Sequence, residues 1–158
     1  MKTYIGTKVI KAKPATMAEA QAVKSGISVE DSKRMFRNSG TKDQEGYAVE
    51  YEDGYISWSP KETFEKAYRA TNEGMPFGSA IELMKKGYKV KRKGWNGKNQ
   101  YIELASAISY KNPAGEVVNS EHDAIGNKAI AFVGTSGVQM GWLASQADML
   151  AEDWVIVE

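Results

Sequence analysis

The chain has 158 residues, 42% hydrophobic and 26% charged, with a formal net charge of +1, which gives no global pull toward nucleic acid or membrane surfaces. There is no cysteine and His122 is the single histidine, so disulfides, thiolate nucleophiles, Cys-based zinc sites and His–His metal motifs within one chain are excluded. No apolar run approaches the ~18 residues of a membrane span, and the opening MKTYIGTK lacks the apolar stretch of a signal peptide, so a soluble cytoplasmic protein is expected.

In chain order, Tyr4–Lys11 alternates like a strand, closed by Pro14 and Thr16. Residues 17–24 favour a helix with Gly26 as its stop. Residues 28–40 hold a short helix at best, followed by a polar, glycine-containing connection. Tyr47–Glu52 and Tyr55–Trp58 read as two strands joined at Glu52-Asp53-Gly54, because Asp-Gly between alternating runs signals a hairpin. Ser59 as N-cap and Pro60 as first helical residue then open a helix over Lys61–Thr71, with Phe64, Ala67 and Tyr68 on one face. Trp58 and Tyr68 fit a small core better than a ligand site.

Asn72-Glu73-Gly74 ends that helix, and Met75-Pro76-Phe77-Gly78 starts a second unit, so domains of 1–74 and 75–158 are expected. Ser79–Lys86 makes a short helix stopped by Gly87, with Phe77 and Met84 on one face. Then comes the most distinctive stretch, Lys85–Asn99, KKGYKVKRKGWNGKN. Its basic residues Lys85, Lys86, Lys89, Lys91, Arg92, Lys93 and Lys98 lie between Glu82 and Glu103 with no acid among them. On a strand over 88–93, Lys89, Lys91 and Lys93 share a solvated face, whereas Arg92 falls with Tyr88 and Val90. A guanidinium placed there requires a carboxylate, a phosphate or an aromatic ring as partner. The Trp95-Asn96-Gly97 turn follows. A tryptophan where the chain leaves a sheet can stack on a base, and Asn96, Lys98 and Asn99 can supply hydrogen bonds. The strand and turn are therefore read as one wall of a pocket for a phosphate-bearing ligand.

Asn99–Ser106 is the return strand, and residues 109–127 read as a polar loop turning at Pro113-Ala114-Gly115. Residues 129–134 and 138–144 form a second hairpin across Thr135-Ser136-Gly137, whose hydroxyls and N–H groups could meet a phosphate, although a plain hairpin turn accounts for them equally. Periodicity alone places Trp142 in the core with Val138 and Met140. Ser145-Gln146-Ala147-Asp148 fits a capping box with Asp in the Glu position, opening one or two helical turns. Trp154–Glu158 closes the sheet, with Trp154 in the core. The fold class expected is α+β: two small domains, each a short antiparallel sheet with one or two helices. A second unit of this size has a modest core and is expected to complete its burial by self-association.

No nucleophile with a local base, no phosphate loop and no metal-ligand spacing occurs in the sequence. A binding protein without metal or cofactor is expected, not an enzyme. Nucleic-acid binding through the basic stretch 85–98, or a role as a structural or adaptor protein, are the alternatives; near-zero charge in both halves argues against the first.

Two blocks, MPFGSAIELMKKGYKVKRKGWNGKNQYI and GWLASQADMLAEDWVIVE, give residues 75–158 a resemblance to the phage family called Thoeris anti-defence protein two. That resemblance implies a sponge. Such proteins bind the cyclic nucleotide messenger of a bacterial TIR-domain enzyme, glycocyclic ADP-ribose and in some members cyclic dinucleotides. They hold it uncleaved in homotetramers with ligand sites between protomers. It also implies ligand roles for Trp95 and Asn96 in the first block and for Trp142 and Asp148 in the second, followed by Phe77 and Arg92. The YIGTK opening and GYAVEYEDGYISWSPKETFEKAY resemble an N-terminal module of phage proteins that implies no function.

Overall fold

The computed structural model describes residues 1–157, in two compact units that divide at Arg69–Ala70. The first contains β1 (Lys11–Thr16), α1 (Met17–Ser25), α2 (Val29–Ser39), β2 (Glu45–Glu50), β3 (Ile56–Pro60) and α3 (Lys61–Ala67). Its antiparallel sheet runs β1-β2-β3. Pro14 sits in β1 without cost to the ladder because β1 is an edge strand. Thr16 and Glu19 form a capping box at the start of α1, and Gly26 closes that helix in the left-handed conformation. Ala15, Ala20 and Ala48 pack against Trp58, whose indole N–H donates to the Ala15 carbonyl at 3.2 Å. The buried Ser32 hydroxyl donates to the Ala18 carbonyl at 2.7 Å and ties α2 to α1.

Several expectations for this unit are corrected. The strand predicted over Tyr4–Lys11 begins only at Lys11, because β2 pairs back no further than Glu50; Tyr4 and Ile5 are almost fully exposed. The segment after Ser28 is a helix of 11 residues, not a short one, since Ser28 caps it by accepting from the Asp31 N–H. Ser59 is not an N-cap. Pairing with β2 continues through Ser59 and Pro60, so both stay in β3 and α3 ends at Ala67. The unit thus has three helices where one or two are expected. Phe64 and Tyr68 do share a face, in a ladder with Tyr47 at centroid distances of 4.1 and 4.9 Å.

The second unit contains α4 (Phe77–Lys85), β4 (Val90–Arg92), β5 (Tyr101–Ala105), β6 (Tyr110–Lys111), β7 (Val117–Val118), β8 (Ala129–Gly134), β9 (Gly137–Met140), α5 (Gln146–Met149) and β10 (Trp154–Ile156). Five strands form one antiparallel sheet in the order β10-β4-β5-β8-β9. Ala80, Leu83 and Met84 of α4 are buried, as are Val90, Ile102 and Trp154 of the sheet. Burying these apolar side chains is the main force holding helix to sheet. Met75 and Trp154 exchange backbone hydrogen bonds at 2.8 and 3.1 Å, and the Thr71 carbonyl accepts from Ile156. These bonds attach residues 70–75 to the second unit, which begins at Ala70. Residues 109–127, predicted as loop, include the β6–β7 ribbon and a polar network. Asn127 Oδ1 accepts from the Ile108 N–H and from Asn119 Nδ2, so these side-chain amides supply hydrogen bonds that a sheet would otherwise provide. Glu158, the end of the expected closing strand, lies outside the described residues.

Candidate functional site

The chain leaves β4 at Arg92 and turns through Lys93, Gly94, Trp95 and Asn96, while the C-terminal segment brings Trp142, Asp148, Asp153 and Trp154 to the same place. Trp154 is fully buried and forms the base of an aromatic cluster. Trp95, Trp142 and Trp154 meet pairwise edge to face, at 5.9 Å (Trp95–Trp142), 5.4 Å (Trp95–Trp154) and 6.3 Å (Trp142–Trp154). Phe132 approaches Trp95 at 5.5 Å, and Phe77 approaches Trp154 at 5.2 Å and Trp142 at 6.4 Å. Edge-to-face pairs of this kind each add about 0.5–1.5 kcal/mol beyond area burial, so the rings hold one another in place.

Above this base lies an open cleft of about 370 Å³, lined by Gly94, Trp95, Asn96, Gly97, Gln100, Phe132, Trp142 and Asp148. All four residues singled out first from the two sequence blocks, Trp95, Asn96, Trp142 and Asp148, line it. Phe77 supports it from below. Arg92 touches it only through Asp148. Asn99, with φ of 57°, is exposed beside the turn, and Thr135 and Ser136 are exposed in the β8–β9 turn; none of these three lines the cleft.

Trp142 reaches the cleft for a reason that periodicity missed. β9 ends at Met140, and Gly141, with φ of 76°, redirects the chain. Trp142 therefore leaves the face of Val138 and Met140, which are exposed, and its N–H donates to the Ile130 carbonyl at 2.9 Å. Phe132 and Gln100 were not identified from sequence. Phe132 lies opposite Ile102 in the β5–β8 register, and a strand pattern over 129–134 does not reveal that the core opens there. Gly97 lies under the Gln100 carboxamide, where an added Cβ would come within 1.8 Å of that side chain.

The charges form one cluster. Arg92 Nε donates to Asp153 Oδ1 at 2.8 Å and Nη1 to Asp148 Oδ1 at 3.1 Å, with the three side chains 23%, 32% and 15% exposed respectively. Within the chain, the partners of Arg92 are thus two carboxylates. Asp148 Oδ2 also accepts from the Ser145 N–H at 3.1 Å and the Ser145 hydroxyl at 2.7 Å, completing the capping box of α5. Burial pushes the Asp148 carboxyl upward, but Ser145, Arg92 and the Trp95 indole N–H together hold it below the ordinary carboxylate range. Asp153 is likewise held low against its burial, by Arg92 and the Gly94 N–H, and Arg92 is raised by both acids, Asp153 first. The rest of the basic stretch is dispersed: Lys85 pairs with Glu82 at 2.7 Å, Lys89 lies over the Tyr101 ring at 4.7 Å, and Lys93 donates to the Glu73 carbonyl at 2.9 Å. No group of acids or histidine with metal-holding geometry occurs among the described residues, and no helix among them is long and apolar enough to cross a membrane.

A family model for the Thoeris anti-defense 2-like domain matches residues 75–157, the whole of the cleft-bearing fold. The chain belongs to that family. Thoeris anti-defense 2 of Bacillus phage SP01 is 42% identical over 88 residues, a match covering 52% of this chain and 94% of the phage protein. All the residues that line the cleft fall within the matched residues.

Proposed function

We propose that the protein is a phage anti-defence sponge acting in the infected host cytoplasm. It binds a TIR-derived cyclic nucleotide messenger of the glycocyclic ADP-ribose class, or a cyclic dinucleotide, and holds it without cleaving it. The carrying observation is that Trp95, Asn96, Trp142 and Asp148, distant in sequence, line a single cleft. Ring edges and faces suit an adenine base, the amides of Asn96 and Gln100 suit its heteroatoms, and a ribose hydroxyl can share the Asp148 carboxylate. Stacking contributes roughly 1–3 kcal/mol per base and hydrogen bonds to charged groups about 1.5–3 each. Several together reach nanomolar binding, about −12 kcal/mol, after association costs.

Storage without turnover is supported by the same geometry. Among the described residues lining the cleft, Asp148 is the one that ionises, and a carboxylate held low by its hydrogen bonds is a poor general base. The cleft is open on one side, and Leu143, Met149 and Leu150 are exposed in the segments that carry Trp142 and Asp148. A second protomer laid over this rim would cover those side chains and enclose the ligand, which supports a homo-oligomer, a tetramer by family resemblance. The test is a calorimetric titration of the protein with the product of a TIR-domain enzyme. Tight, saturable binding is expected, weakened at least about tenfold (about 1.4 kcal/mol) in Trp95→Ala. Equal affinity of Trp95→Ala and wild type would remove the cleft from the function.

A further inference from the structure

Asp153 stands just before β10, outside the cleft, yet it holds both sides of the turn that carries Trp95. Its Oδ1 accepts from Arg92 Nε at 2.8 Å, and its Oδ2 accepts from the Gly94 backbone N–H at 3.1 Å. The Lys93 N–H also donates to the Asp153 carbonyl at 3.0 Å, and the Trp95 N–H to the Arg92 carbonyl at 3.3 Å. Arg92 then extends the connection through Nη1 to Asp148, which is fixed to α5 by Ser145. Arg92 and Gly94 are therefore tied directly to one carboxylate, Trp95 is tied to it through Arg92, and Lys93 is held by the backbone carbonyl of the same residue.

We infer that Asp153 is a positioning residue, which sets the Trp95 turn through Arg92 and the Gly94 N–H and so fixes the geometry of the cleft. The requirement is chemical. Two donors converge on the side chain from different directions, and a carboxylate can accept from both. An asparagine of the same shape offers one oxygen and one NH2, so one of the two donors is left facing another donor. Arg92 has the complementary role: its guanidinium spans two acids, as a lysine ammonium could not with the same planar geometry. The effect on ligand affinity rests on the cyclic nucleotide reading; the positioning of the turn does not, and it can be read without ligand.

The test compares the full-length wild type with Asp153→Asn by amide hydrogen exchange and by the Trp95 indole N–H resonance, alongside titration with glycocyclic ADP-ribose. In the variant, exchange at Gly94 is expected to accelerate at least about tenfold, the Trp95 resonance to shift, and affinity to fall about tenfold. The Ile102 amide, in the buried sheet centre, should stay protected. Unchanged Gly94 exchange and an unchanged Trp95 resonance would overturn the inference. Should Asp153→Asn unprotect Ile102 as well, Arg92→Lys decides. It removes the Nε donor to Asp153 while keeping the charge, and Gly94 exchange and a Trp95 resonance that both stayed unchanged there would overturn the inference. A wild type that bound no nucleotide, with Gly94 and Trp95 still responding to Asp153→Asn, would leave the positioning role standing and reject the ligand class instead.

Discussion

Trp95 and Trp154 belong to one cluster but carry different weight. Trp154 is fully buried, touches Phe77, Trp95 and Trp142, and donates from its indole to the Asp148 carbonyl at 3.0 Å. Truncating it to Ala should cost about 3–5 kcal/mol of stability, read as a large fall in the melting temperature of the second unit. Trp95 is only half-buried, at the cleft wall. Its replacement by Ala should cost affinity chiefly, with a much smaller loss of stability; equal destabilisation by the two substitutions would make Trp95 a core residue only. The acids add a pH signature. Asp148 and Asp153 are both held below the ordinary aspartate value of ~3.9. Their contribution to stability is therefore complete above that value and is lost as pH falls through the lower native values. Arg92, raised, stays charged throughout. Thermal unfolding followed downward from pH 5 should thus decline less steeply in Asp153→Asn than in wild type. Parallel slopes would mean that the pair is not linked to folding.

At the scale of elements, the sheet is what holds the two sequence blocks together. β10 pairs with β4 so that Trp154 lies opposite Arg92, and β5 pairs with β8 so that Ile102 lies opposite Phe132. Neither pairing was legible in the sequence, because alternation reports which face a residue takes and not which strand lies beside it. The local signals were more readable. The Asp53-Gly54 hairpin, the Gly26 stop, the Ser145–Asp148 capping box and the β8–β9 turn all occur where short-range chemistry puts them. Misreadings arose where long-range pairing overrode local preference, as at Ser59-Pro60, or where an alternating run lacked a partner, as at Tyr4–Lys11. Periodicity alone groups Trp142 with Val138 and Met140 because it does not register the left-handed glycine that ends β9 before it; only the resemblance assigns Trp142 to the ligand side. In the first unit, Gly46 permits the close approach of β2 to β3: a Cβ there would come within 2.2 Å of the Ser59 carbonyl and 2.7 Å of the Trp58 ring. Gly46→Ala should destabilise that unit by about 1–3 kcal/mol while the ligand titration of the full chain stays unchanged. A wild-type melting profile in Gly46→Ala would refute this packing account.

For the whole molecule, the candidate site was legible to the extent that its residues came from two recognisable blocks; their meeting around one aromatic base required the fold. Arg92 shows the limit of reading chemistry without distances. Its side chain needed a partner of opposite charge, and the partners proved to be Asp148 and Asp153, separated from it by more than fifty residues of chain. The proposed assembly rests on the exposed Leu143 and Leu150, so if the chain self-associates through them, a double substitution by Glu should give smaller species in sedimentation than wild type and lower ligand affinity with them. A dissociated variant with full affinity would place the whole site within one protomer.

The claim on which the proposed function depends is that a cyclic nucleotide is stored and not consumed. The direct measurement is to incubate the purified protein with TIR-enzyme product, remove unbound nucleotide by filtration, denature the protein by heat and identify what is released by mass spectrometry. Release of the intact cyclic nucleotide in stoichiometric amount is expected, and its absence from the Trp95→Ala sample. Recovery of linear or hydrolysed products from wild type, or of no nucleotide at all, would contradict it.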